Sequence, residues 1–207
     1  MKTKLLSAVV LCTVGLMGCG DDSDPAPTNN PPKLDSQQGI MTYVEGKRMV
    51  MEGANIPSHP NGVNEGLDFG AASQCYQKVT MSVQAGNFTV DSIPGTIEGG
   101  TQTTPGTCNK TLPKNALSFT SRNVLIENVA ADGSCFNVVF TYPSFKQVGR
   151  GGFSADGKTL NLEIFFENAA TGANCEAGPV GSKTINLVAN GQSYPFPGNA
   201  VQKYVIQ

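Results

Sequence analysis

The stretch Phe145-Lys-Gln-Val-Gly-Arg-Gly-Gly-Phe-Ser-Ala-Asp-Gly-Lys-Thr-Leu-Asn-Leu-Glu-Ile-Phe-Phe-Glu167 decides the fold. Asp156-Gly157 divides it into two β-rich halves, and Asp-Gly favours the type I′ turn, whose twist suits antiparallel strands. Setting Ala155 opposite Lys158 fixes every later pair. One face then collects Phe145, Phe153, Leu160, Leu162, Ile164 and Phe166. The other sets Arg150 opposite Glu163 and Lys146 opposite Glu167, with Val148 beside Phe165 between them. Two opposite-charge pairs from one register support that register, and both read as solvent-exposed ion pairs. Gly149 and Gly151 fall on the apolar face, where missing side chains let a strand bend, as sheets do when they curl into barrels.

The same strand-and-turn code extends in both directions. Asp132-Gly133 joins Asn123–Ala131 to Ser134–Tyr142, and Asn190-Gly191 joins Ile185–Ala189 to Gln192–Phe196. Val79, Met81 and Val83 alternate with polar residues before Ala85-Gly86 turns the chain into Phe88 and Val90. Residues 95–115 predict short, irregular strands around Cys108, and Val201–Ile206 a terminal strand that closes or edges the sheet. Ile40–Met51 is β-rich with a break at Glu45-Gly46, either one long strand or a hairpin. Residues 53–74 form a Pro- and Gly-studded connection holding the single histidine, His59. No segment sustains a 3.6-residue apolar period. The fold class is therefore all-β, an antiparallel meander forming a barrel or a sandwich, in one domain over residues 39–207. In layout it is similar to a lipocalin-type barrel. That family's Gly-x-Trp is missing, the chain has no Trp, and likeness of layout carries no function.

The first 19 residues set the compartment. Lys2 and Lys4 precede an apolar run, Leu5–Val14, of signal-peptide length and too short to span a bilayer. Leu16-Met17-Gly18-Cys19 follows, and it resembles the lipobox of bacterial lipoproteins. The resemblance implies a signal peptide over 1–18, removed by signal peptidase II, and a diacylglyceryl group with palmitate-type acyl chains on Cys19. Such chains anchor a protein stably, at about 0.8 kcal/mol per buried methylene. Gly20, rather than Asp, follows Cys19, so a common inner-membrane retention signal is missing and the outer membrane is the expected site. Residues 19–38 are Asp, Ser, Pro, Asn and Gln with almost nothing apolar, which predicts a disordered, solvated tether. Its acidic run is similar to surface-export signals of some Gram-negative lipoproteins, leaving either face of the membrane open.

Export makes disulfides the natural use of cysteine. Cys12 leaves with the signal and Cys19 takes the lipid, so Cys75, Cys108, Cys135 and Cys175 remain. A four-thiolate zinc site uses close Cys-x-x-Cys pairs, and the chain has none. Of three connectivities the sequential one, Cys75–Cys108 with Cys135–Cys175, is preferred. It carries a condition: residues 169–182 must fold back over the sheet, because bridged Cα atoms lie within about 7 Å.

Chemistry is hard to find. Without Lys2 and Lys4 the chain carries 12 basic against 16 acidic residues and no basic run, a poor match for nucleic acid. Gly-x-Ser-x-Gly, His-Glu-x-x-His and the P-loop are absent, and Gly149-Arg-Gly-Gly opens no helix. His59, between two prolines, reads as a solvated loop residue. Glu163 and Glu167 share a face, as the acid/base couple of a hydrolase of envelope polymers would, but the opposing Arg150 and Lys146 account for them. The tyrosines are scattered, so no sugar-stacking platform stands out. Phe136, Phe140, Phe153, Phe165 and Phe166 read mostly as core, although glycines on an inner face could leave room for an apolar ligand. No catalytic residue, metal or cofactor is expected. The expected partners are the membrane, through the lipid, and an envelope protein or a small apolar ligand.

Overall fold

The structure is a computed structural model that describes residues 33–57, 75–100, 106–196 and 198–207. Helix α1 spans Gln37–Val44, and fourteen strands follow among the described residues. They are β1 Arg48–Glu52, β2 Tyr76–Gln84, β3 Asn87–Pro94, β4 Thr96–Glu98, β5 Thr107–Asn109, β6 Leu117–Ser121 and β7 Asn123–Glu127. Next come β8 Phe136–Thr141, β9 Lys146–Phe153, β10 Thr159–Phe166, β11 Ala170–Thr171, β12 Asn186–Ala189, β13 Gln192–Pro195 and β14 Gln202–Ile206.

Nine strands form one antiparallel sheet in the order β6-β3-β2-β1-β14-β10-β9-β8-β7. Its two edges, β6 and β7, are neighbours in the chain, separated by Arg122 alone. They act as one kinked strand that pairs first with β3 and then with β8. At the bend Ser121 is fully buried, its Oγ 3.1 Å from the Asn123 carbonyl and 3.0 Å from that of Thr141. A strand that changes partners draws the edges together, and the sheet curls into a nearly closed barrel. The C-terminal strand β14 neither closes nor edges the sheet: it lies at its centre, between β1 and β10, and joins the two halves.

The β9–β10 hairpin has the register read from the sequence: Glu163 pairs with Arg150, Leu160 with Phe153 and Phe166 with Gln147. Its turn is not the type I′ expected: Gly157 has φ +71° but Asp156 does not have positive φ, and Gly157 N donates to Ser154 O. The Ala85-Gly86 and Asn190-Gly191 turns hold both residues at positive φ, the type I′ signature. Asp132-Gly133 does not form a two-residue turn. β7 stops at Glu127 and β8 starts at Phe136, and Ala130 N donates to Cys135 O across a wider loop. Leu34 packs onto Gly133, where any Cβ would lie 2.6 Å from its own, and that contact shapes the loop.

Ile40–Met51 is neither one strand nor a hairpin. Ser36 caps α1, its Oγ accepting from Gly39 N at 3.2 Å, and Ile40 and Val44 are buried one turn apart. Two turns of helix are too few for a 3.6-residue period to emerge from the sequence. The helix plugs one end of the barrel. The Glu45 carboxylate accepts from Ala85 N and Gly86 N, Tyr43 OH donates to Gly157 O, and Gln37 Oε1 accepts from Ile126 N on the edge strand β7. Leu34 joins the core, so ordered packing begins inside the residues read as tether.

The inner face carries Met49, Met51, Val79, Met81, Val83, Phe88, Phe136, Phe140, Phe153, Leu160 and Leu162 in a single core. Outside the barrel a second, smaller core of Phe165, Ala169, Ile185, Leu187, Phe196 and Ala200 lies beneath the sheet β11-β12-β13. This layer corrects the reading of the hairpin's outer face. Phe165 is buried there, and Arg150 and Glu163 are 0 % and 1 % exposed rather than solvated.

Candidate functional site

Both disulfides join sequential cysteines: Cys75–Cys108 with Cα atoms 5.3 Å apart and Cys135–Cys175 at 6.0 Å. The folded-back loop that the second bond requires is present. Asn137 on β8 accepts from Cys175 N at 2.9 Å, and its amide donates to the Glu176 carboxylate at 3.2 Å. Asn128 donates to the same carboxylate, and hydrogen bonds from its own backbone N–H first, then from the Asn137 and Asn128 amides, hold its pKa below the usual range.

Arg150 fastens the remainder of that loop. Its Nε donates to Glu163 Oε2 at 2.6 Å, Nη1 to the carbonyls of Asn174 and Gly178, and Nη2 to Ser182 Oγ. Glu163 Oε2 also accepts from Gly181 N at 3.0 Å. A buried ion pair is tolerated when further hydrogen bonds satisfy it, as here. Glu163 is thereby committed to Arg150 and the loop, while Glu167 stays at the surface with Lys146 at 3.4 Å. The two carboxylates therefore do not meet as an acid/base couple. Cys19 and His59 lie outside the described residues.

The end of the barrel opposite α1 gathers aromatic side chains that the sequence shows only as scattered. Tyr142 and Phe145 flank the Pro143-Ser144 turn, with Tyr142 N donating to Phe145 O, so their side chains fall side by side. The rings stack at 4.5 Å and 24°. Phe119 from β6 meets both rings edge-on, at 6.3 and 5.4 Å, and Phe166 from β10 meets Phe145 at 5.5 Å. Phe119 is 39 % exposed and Phe166 40 % among the described residues. A cleft of about 580 Å³ is lined by Leu117, Pro94, Ile97 and Lys114. Below the mouth Tyr76, Tyr142 and Tyr204 crowd together. Burial, then the neighbouring tyrosines, pushes Tyr142 up to about 12 and Tyr204 higher still, with Tyr204 OH donating to Gln202. Deeper, the pocket among Ile40, Phe88, Phe136 and Leu162 holds about 10 Å³. That is at most one water, far short of the roughly 300 Å³ of a ligand chamber.

Sequence reasoning missed this mouth for a definable reason. Phe119, the Tyr142–Phe145 turn and Phe166 come from three places in the chain, and only barrel closure brings β6 to the β8–β9 turn. Comparison of the chain with protein-family models, with curated proteins and with solved structures found no match.

Proposed function

We propose that this protein is a lipid-anchored lipoprotein of the bacterial outer membrane with a non-enzymatic role in binding or in supporting the envelope. The observation that carries the reading is Leu16-Met17-Gly18-Cys19 directly after a short apolar run. Two disulfides in one small body support it, because such bonds persist in oxidising compartments. The chain enters the barrel at the end plugged by α1, with Leu34 in the core, opposite the aromatic mouth. An envelope protein is the partner of choice there, since aromatic side chains with one face exposed are the usual anchors of protein interfaces.

Site-specific photocrosslinking in intact cells tests the partner. A photoreactive residue at Phe166 yields a discrete protein adduct, and one at Gln192, on the exposed β13, does not. Equal labelling at both positions, or none at Phe166, removes the mouth from the proposal.

A further inference from the structure

A second recess lies on the outer wall, where the β11–β13 layer stops short of the hairpin end of the barrel. Its volume is about 530 Å³. The floor is a row of outward residues that pair across three strands: Gly152 with Asn161, and Asn161 with Lys203. One wall is the loop through Gly181 and Lys183; the other is formed by Asn199 and Val201. Among the described residues no carboxylate lines it.

Four observations mark this groove as built for an anion. Lys183 and Lys203 are exposed and make no ion pair among the described residues, unlike Lys78 and Lys146, which have Glu52 and Glu167. The Asn161 amide is half-buried on the floor and makes no hydrogen bond among the described residues. Lys183 is held at φ +58°, a conformation uncommon for non-glycine residues. The buried Arg150–Glu163 pair grips Gly181 N and Ser182 Oγ just before Lys183.

We propose that this groove binds a phosphorylated sugar or polyol. Lys183 and Lys203 take the phosphate through charge-assisted hydrogen bonds, and Asn161 with Asn199 takes the hydroxyls. The ligand is either a soluble molecule or the headgroup of a lipid. The second source fits the position, because Ser134 at the groove follows Gly133, against which Leu34 packs where the chain enters the barrel. That source alone rests on the anchor reading.

The test uses the full chain carrying Cys19→Ser, so that no acyl group contributes. It is titrated calorimetrically with a hexose bisphosphate. It is also floated with phosphatidylcholine vesicles, with and without phosphatidylinositol monophosphate. The comparison variant is Lys183→Asn with Lys203→Gln, since Asn tolerates the left-handed backbone. Saturable binding of the bisphosphate, at least about tenfold weaker in the variant, supports a soluble ligand. Flotation only with the phosphorylated lipid, lost in the variant, supports the headgroup. Binding to neither probe, or equal binding by both proteins, overturns the proposal.

Discussion

Replacing Glu163 by Ala should be among the most damaging single substitutions outside the core. The carboxylate is 1 % exposed, sits 2.6 Å from Arg150 Nε and also accepts from Gly181 N at 3.0 Å. Its removal leaves a fully buried guanidinium with two carbonyls and a hydroxyl but no opposing charge. Breaking such a pair costs about 3–5 kcal/mol. For a chain of this length that lowers the melting temperature by roughly 6–20 °C. The matched control is Glu167→Ala, whose partner Lys146 lies at 3.4 Å with both side chains about half exposed; its cost is under about 1 kcal/mol. Denaturant unfolding of the two variants against the parent, with disulfides intact, measures the difference. Joint replacement by Arg150→Met and Glu163→Leu should recover part of the loss, because no charge is then stranded. A cost for Glu163→Ala no larger than that for Glu167→Ala would refute the reasoning, since water would then reach the pair.

Two further predictions follow from the covalent and titratable groups. Non-reducing peptide mapping should return Cys75–Cys108 and Cys135–Cys175, and replacing Cys135 and Cys175 together by Ala should cost about 4 kcal/mol, from the closure entropy of a loop spanning 40 residues. Stability should also fall in alkali. Tyr142 is raised to about 12 in the fold and Tyr204 higher, against about 10 when unfolded. The folded state therefore keeps protons that the unfolded state releases, so this stabilisation is full below about pH 10 and is lost as pH rises through about 12. Urea midpoints measured from pH 8 upward in the parent and in Tyr142→Phe should show a shallower decline in the variant; identical declines would place the Tyr142 hydroxyl in solvent.

How much of this was legible depends on where the information lies. The β9–β10 register was readable because Asp156-Gly157 fixes one pair and the period of two then fixes the rest. The same holds for Ala85-Gly86 and Asn190-Gly191. Local signals failed where another segment supplies the environment. Arg150 and Glu163 look like surface residues in any alternating strand, and only the layer from Ala169 to Ala200 buries them. Helix α1 is too short to show periodicity, and its stability comes from Ile40 and Val44 packing into the barrel. The aromatic mouth and the lysine groove each assemble from segments far apart in the chain, so neither leaves a motif. The sequential disulfides were half legible, since the distance argument stated what the 169–182 loop had to do and the loop does it.

The central claim is that this barrel hangs from a lipid on Cys19, and metabolic labelling with an alkyne fatty acid tests it most directly. Cells expressing the parent chain should incorporate the label into this protein and hold it in the outer-membrane fraction. The Cys19→Ser chain should take up no label and accumulate as uncleaved or soluble precursor. Equal labelling of both chains, or an unlabelled parent, would contradict the anchor and the compartment argued from it.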